Sequence, residues 1–341
     1  MAARGLGPLL WRLIDPSAAP AAADTLLGAD LTAQVMTEGA LDGTEEILRA
    51  AGPAAREIVL LKGIAACQRY YPEPHLRPMG DIDLLIPRER YPQLQSVMTG
   101  LKYVQRSSLP SEFYQTHHHA MPFYHPEKQL WVELHWELFP RSAPSRIGQY
   151  LSATAVTSST VEMTFRGIPA RRLNDELHLL YVCAHWAEAL NIERGAIALV
   201  DVLYLLRTVP SLDWDRVRRY AGRGPAHRYL SLMLGYLLSR RAIELEPAVT
   251  DFVLKGVRKI GRVNARLLYA IIDRYMVLHR PCGRFLTEPN LTTIWARLLN
   301  DRPPYLNLLG LPWALLFPPH RADRFRLSLV AQRLWSILRP R

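Results

Sequence analysis

The apolar positions along this chain follow two different periods, and the change from one to the other divides it. Residues 57–63 (EIVLLKG) and 81–87 (DIDLLIP) are short, nearly continuous apolar runs, which predict strands. Residues 101–106, 117–125 and 129–139 add three more strand candidates, the last with strict alternation in WVELHWEL. Between them, residues 64–71 predict a short helix. A second helix should begin near Arg88, with Pro92 tolerated only in its first turn. Residues 40–51 (ALDGTEEILRAA) read as a helix capped by Asp42 or Thr44 and stopped by Gly52. Beyond residue 172 the apolar spacing becomes helical, over 174–190, 195–209, 213–222 and 227–242, with more helices towards the C-terminus.

These elements predict an α+β architecture, a mixed sheet with flanking helices followed by a helical region. The expected organisation is an N-terminal helical or irregular segment (1–39), an α/β domain (40–172) and a helical domain (173–341). With 341 residues, 49% of them hydrophobic, a sizeable core is assured.

Charge alters the picture of partners. The net charge of +11 favours polyanions such as nucleotides, nucleic acid or anionic lipid, without choosing among them. Arginine-rich stretches at Arg216, Arg218, Arg219 and Arg223, and at Arg258, Lys259, Arg262 and Arg266, read first as solvated helix faces and second as an RNA-binding surface. Cys67, Cys183 and Cys282 form no CxxC pair, and a reducing cytoplasm is the expected compartment. No stretch reaches the ~18 apolar residues of a membrane span. A peripheral membrane contact through LLGLPWALLFPP (308–319) and the arginines of 302–341 stays open.

The candidate chemistry lies where the pattern breaks its own rule. In RPMGDIDLLIP (77–87), Asp81 and Asp83 stand on one face of a predicted strand, about 7 Å apart at Cα, where they would repel each other. A divalent cation resolves that repulsion. The run WVELHWEL offers a third carboxylate, Glu133 or Glu137, with His135 on the same face. Three carboxylates on adjacent strands suit a metal-assisted phosphoryl transfer centre. His117, His119 and His125 make a weaker zinc reading, because no cysteine joins them. His185 and Asp201, each among apolar neighbours, read as a buried structural pair or as substrate contacts.

The segment LLKGIAACQRYYPEPHLRPMGDIDLLIP, followed by WVELHW, LHLLYVCAHWAEAL and ALVDVLYLL, resembles a poorly characterised nucleotidyltransferase family of the polymerase-beta-type superfamily. Its members are often encoded beside genes for peptide natural products, lasso peptides among them. The resemblance covers roughly residues 40–210. It implies that Asp81, Asp83 and Glu133 are catalytic and bind Mg²⁺ or Mn²⁺. Lys62, Gly63, Arg77 and His135 then face the nucleotide, an NTP and first of all ATP. In that superfamily a Gly-Ser turn grips the phosphates, and here Ile64 follows Gly63 instead of serine. The implied activity is transfer of a nucleoside monophosphate to an acceptor, a modified peptide or small metabolite. The alternatives are transfer to RNA or tRNA, or a non-catalytic binding protein with the same fold.

Overall fold

The computed structural model describes residues 5–106, 118–140, 147–151, 156, 158–188, 190, 195–222, 225–282, 287–300 and 302–312. His117, Arg223 and most of the basic C-terminal stretch from 313 onward, expectations included, lie outside the described residues.

A short helix α1 (Gly7–Trp11) precedes α2 (Pro20–Ala51), which has proline in its first turn and ends at Gly52, where φ is +57°. The expected helix at 40–51 is only the last third of α2. Asp42 and Thr44 do not cap it: Thr44 Oγ1 donates back to the Ala40 carbonyl at 2.8 Å, and Asp42 accepts from Arg166 at 2.6 Å. Leu26, Ala33, Ala40, Leu41, Ile47 and Leu48 form its buried face. Small residues at 18–23 and glycines at 28 and 39 hid this helical period from a reading of hydrophobicity.

Seven strands form one sheet in the order β3-β4-β5-β2-β1-β7-β6. They are β1 (Val59–Leu60), β2 (Asp81–Leu85), β3 (Val104–Gln105), β4 (Ala120–His125), β5 (Leu130–His135), β6 (Thr160–Phe165) and β7 (Ile168–Leu173). Central β2 runs antiparallel to β1 and parallel to β5. β1 is shorter than predicted, because Lys62 adopts φ of +43° and opens helix α3 (Lys62–Arg69) instead of extending the strand. The hairpin β6–β7 was not predicted; its turn places Arg166 and Gly167 at φ of +46° and +82°. Helix α4 (Tyr91–Gly100) does carry Pro92 in its first turn.

One face of the sheet is apolar. Ile82, Leu84, Val132 and Leu134 are fully buried and join Ile47 and Leu48 of α2 and Leu94 and Met98 of α4 in a single core. At about 25 cal/mol per Å², each such side chain contributes roughly 1.5–3 kcal/mol. Strand alternation sends the intervening residues of β2 and β5 to the opposite face.

A helix α5 (Ile147–Tyr150) and then the long helical series follow: α6 (Asp175–Glu188), α7 (Gly195–Thr208), α8 (Trp214–Ala221), α9 (Ala226–Ser239), α10 (Pro247–Ile260), α11 (Arg262–Ile271), α12 (Glu288–Leu298) and α13 (Pro304–Leu309). The chain divides into two compact units, Met1–His185 with Ile197–Ala226, and Trp186–Ala196 with His227–Arg341. The first holds the sheet. In the second, Trp295 is buried, meets Trp186 edge-on and donates to the Ala187 carbonyl at 2.8 Å. Among the described residues, no helix is long and apolar enough to cross a membrane.

Candidate metal and phosphate site

Parallel pairing of β2 with β5 sets Asp83 directly beside Glu133 on the polar face of the sheet. Two carboxylates at one strand spacing are destabilising unless cations intervene. Two do. His135 Nε2 lies 2.8 Å from Asp83 Oδ1 and 3.2 Å from Glu133 Oε2, and Lys62 Nζ lies 2.7 Å from Asp83 Oδ1. Lys62 can reach across because its left-handed backbone turns the chain sharply after β1; the Leu61 N–H has just completed the ladder to the Asp83 carbonyl at 3.0 Å. Such a conformation costs a non-glycine residue on the order of 1–2 kcal/mol.

Electrostatics follow from these contacts. Burial works against the Asp83 charge, but the Lys62 ammonium and the His135 hydrogen bond outweigh it and hold the carboxyl well below its ordinary value. The hydrogen bond from His135 holds Glu133 down as well. Burial opposes charge on His135, and its bonds to Asp83 and Glu133 reverse that and raise it. Burial likewise opposes charge on Lys62, while Tyr181 and then Asp83 keep its ammonium above the usual lysine range. Asp81 is treated differently. Burial and the neighbouring Asp83 charge both push it up. Among the described residues its carboxylate accepts no side-chain hydrogen bond and joins no ion pair.

One ligand atom each from Asp83, Glu133 and His135 lie within 4.8 Å of one another, so the three could hold a metal ion. The donor set is two hard carboxylate oxygens and one imidazole nitrogen, which fits a divalent cation once His135 Nε2 gives up its proton. The Nδ1 of the same ring is buried and has no hydrogen-bond partner among the described residues. Asp81 lies outside this group of three, although it is the neighbour of Asp83 on the same strand face. Of the two glutamates proposed as third carboxylate, Glu133 and not Glu137 is the one that converges.

Gly63 and Arg77 belong to an adjoining layer. The Arg77 guanidinium makes a paired contact with Asp201, Nε to Oδ1 at 3.2 Å and Nη2 to Oδ2 at 3.0 Å, and the Tyr71 hydroxyl donates to the same carboxylate at 2.7 Å. Asp201 therefore pairs with Arg77, not with His185, and Arg77 pairs with neither aspartate of β2. A Cβ built on Gly63 would stand 2.6 Å from Arg77 Nη1 and 2.7 Å from Met79 Cγ. Only glycine lets the guanidinium pass beneath the start of α3.

The structure adds residues that sequence reasoning had placed elsewhere or not at all. His119 packs against His135, ring centres 5.2 Å apart. Burial, together with the charge of His135, pushes its imidazole down to about 3. His125, its partner in the zinc reading, instead accepts from the Lys128 N–H at 3.2 Å and meets Tyr103 edge-on. Tyr181 and His185 lie one turn apart on α6, with their rings 6.0 Å apart. His185 is exposed to solvent. The i, i+4 spacing of Tyr181 and His185 in LYVCAHW was a legible signal for a shared face.

Other charged features are locally neutralised. Arg216, Arg218 and Arg219 lie within 4 Å of Asp213, Asp215 or Glu176 carboxylates. A surface groove of about 530 Å³ is lined by Asp42, Glu45, Glu46, Arg49, Ala50 and Leu101 and shares no residue with the cluster.

Residues 1–239 match the model of a family described as uncharacterised nucleotidyltransferase. The chain belongs to that family. The match spans the whole sheet and α1 to α9, so the Asp83, Glu133 and His135 cluster lies within the family's domain. Among curated proteins, no relative matches. A nucleotidyltransferase fold implies a nucleotide substrate, and such folds generally use divalent metals.

Proposed function

We propose that the protein is a divalent-metal-dependent nucleotidyltransferase that moves a nucleoside monophosphate from an NTP to an acceptor and releases pyrophosphate. The observation that carries this reading is the convergence of Asp83, Glu133 and His135 beside an unpaired Asp81. Asp83, Glu133 and His135 would hold the cation, with Asp81 as a further carboxylate beside them. A bound cation would neutralise phosphate charge and polarise the phosphorus under attack. The imidazole of His135, as a nitrogen donor, favours Mn²⁺ over Mg²⁺, which prefers oxygen alone.

Lys62 has a second task. Its ammonium neutralises Asp83, and a cation bound there would free it for the triphosphate. Arg77, its charge matched by Asp201, braces the turn at Gly63 from which Lys62 projects. Most of the rate in such chemistry comes from positioning and charge neutralisation, which these residues provide. ATP is the first nucleotide to try. The acceptor is a modified peptide or small metabolite, with RNA second; the local pairing of Arg216, Arg218 and Arg219 weakens the RNA case.

Incubation with each α-labelled NTP, Mn²⁺ or Mg²⁺ and a host extract tests this directly. Label should move to a small acceptor, and Asp83→Asn and Glu133→Gln should each abolish the transfer. Equal labelling by wild type and both variants would refute the assignment.

A further inference from the structure

The second compact unit carries exposed side chains that nucleotidyl transfer leaves unused. Helix α11 turns Val263 and Leu267 to solvent, one helical turn apart, and beside them Arg262 and Arg266 at the same spacing. Of the basic run that begins before it, Arg258 pairs with Asp251 at 3.5 Å. Lys259, Arg262 and Arg266 are exposed and join no ion pair among the described residues. Helix α13 likewise turns out Tyr305, Leu306 and Leu309, with Tyr305 63% and Leu309 75% exposed. The two helices meet. A Cβ built on Gly261, just before α11, would stand 2.6 Å from Pro304 Cβ, and Asn264 Nδ2 donates to the Pro304 carbonyl at 3.3 Å. The opposite side of α13 is tied down, because buried Asn307 donates to the Asn300 and Arg302 carbonyls at 3.1 and 3.3 Å and Arg297 donates to the Leu306 carbonyl at 3.1 Å. Its backbone is thus anchored while three large apolar side chains face water. Single exposed apolar residues are ordinary, but five on adjoining helices, beside unpaired cations, mark an interaction surface.

We propose that α11 and α13 together dock on an anionic membrane surface, their leucines and Tyr305 entering the headgroup region while Lys259, Arg262 and Arg266 meet lipid phosphates. Charge complementarity selects this occupant. Residues 302–341 hold seven arginines and one aspartate, so six of the chain's eleven surplus positive charges fall in the stretch that contains α13 and continues from it. Each arginine or lysine near an anionic leaflet adds attraction, and apolar side chains at the same place add the burial that electrostatics alone lacks. RNA would use the cations equally well, but it gains by stacking on aromatic rings, and of the five exposed apolar side chains only Tyr305 can stack. Two facing copies of the surface would set like charges against each other. Among the described residues no helix is long and apolar enough to span a bilayer, so the contact is peripheral.

The test sediments the full chain, without nucleotide or metal, with vesicles of phosphatidylcholine alone and of phosphatidylcholine and phosphatidylglycerol at about three to one. It should pellet with the anionic vesicles and stay in solution with the neutral ones, and salt at about 1 M should release it. Leu306→Ser with Leu309→Ser, and separately Arg262→Gln with Arg266→Gln, should each weaken binding about 10-fold to 30-fold. All four positions are exposed, so the melting temperatures should stay at the wild-type value. A chain that pellets equally with both vesicle types, or with neither, overturns the inference, whether it then shifts a labelled single-stranded RNA or forms a dimer that the leucine variant dissociates. Anionic binding that both variants retain at full strength overturns it as well. Neither result touches the nucleotidyl transfer reading, which needs no lipid.

Discussion

Asp81 and Asp83 are chemically identical neighbours on one strand face, yet neutralising them should shift stability in opposite directions. Asp83 is 2% exposed and accepts from Lys62 at 2.7 Å and His135 at 2.8 Å. Replacing it with asparagine keeps the shape and one acceptor but leaves buried cationic partners without their counter-charge. Breaking one side of a buried pair costs about 3–5 kcal/mol, and the retained acceptor argues for the lower end, about 3 kcal/mol. For a domain of this size each kcal/mol moves the melting temperature by about 2–4 °C, so Asp83→Asn should melt roughly 6–12 °C below wild type.

Asp81 has the reverse sign. Burial and Asp83 raise its folded-state pKa above the ordinary 3.8. A carboxyl so raised destabilises the fold at every pH above its unfolded value, and asparagine removes that cost at neutral pH. Asp81→Asn should therefore melt at or above the wild-type temperature. The assay is thermal unfolding at neutral pH in a chelator, followed by the same scan in Mn²⁺. A cation at a hundred times its dissociation constant adds about 2.7 kcal/mol to the wild type, and both variants should lose most of that gain. Shifts of equal sign and size for the two variants in the chelator would refute the assignment of Asp83 as paired and Asp81 as unpaired.

Gly63→Ala puts a methyl group against Arg77 and Met79, and Arg77, tied to Asp201, cannot retreat. Overpacking of about 1–3 kcal/mol should exceed the ~0.5–1 kcal/mol gained from alanine in a helix. Gly39→Ala, in open space on α2, should stabilise by that same small amount, and thermal melts of the two variants decide the comparison. The Asp175 carboxylate gathers Arg69 at 3.2 Å, Arg172 at 2.6 Å and the Tyr70 hydroxyl at 2.9 Å. Burial works to raise it, and the bonds and charges of Arg69, Arg172 and Tyr70 together hold it below 3.8. The stability it contributes is then present above that value and lost as pH falls through the folded one. Asp175→Asn should flatten the acid limb of a melting profile taken between about pH 5 and pH 2. An acid limb as steep as wild type would count against the network.

Much of the site was written in local pattern. Alternation at 81–83 and 133–135 put Asp81 with Asp83, and Glu133 with His135, on single strand faces, because side-chain direction in a strand depends on residue count alone. The α+β class was legible for the same reason, since a period of two gave way to a period near 3.6 within one chain. The resemblance carried by LLKG, DIDLLIP and WVELHW agreed with the family match over residues 1–239. Local pattern failed where small residues and glycines masked α2, and where a tight Arg166–Gly167 turn joined two strands of little hydrophobic contrast.

What the sequence could not determine was partnership. Asp83 beside Glu133 follows from the parallel register of β2 and β5, strands separated by some fifty residues, with two other strands between them in the chain. Arg77 finds Asp201 across 124 positions, and Lys62 finds Asp83 across 21. Single residue types announce that a charge must be compensated, because burial is costly. Which opposite charge compensates it depends on distances that fall off only in space, and the chain acquires those distances when its sheet closes.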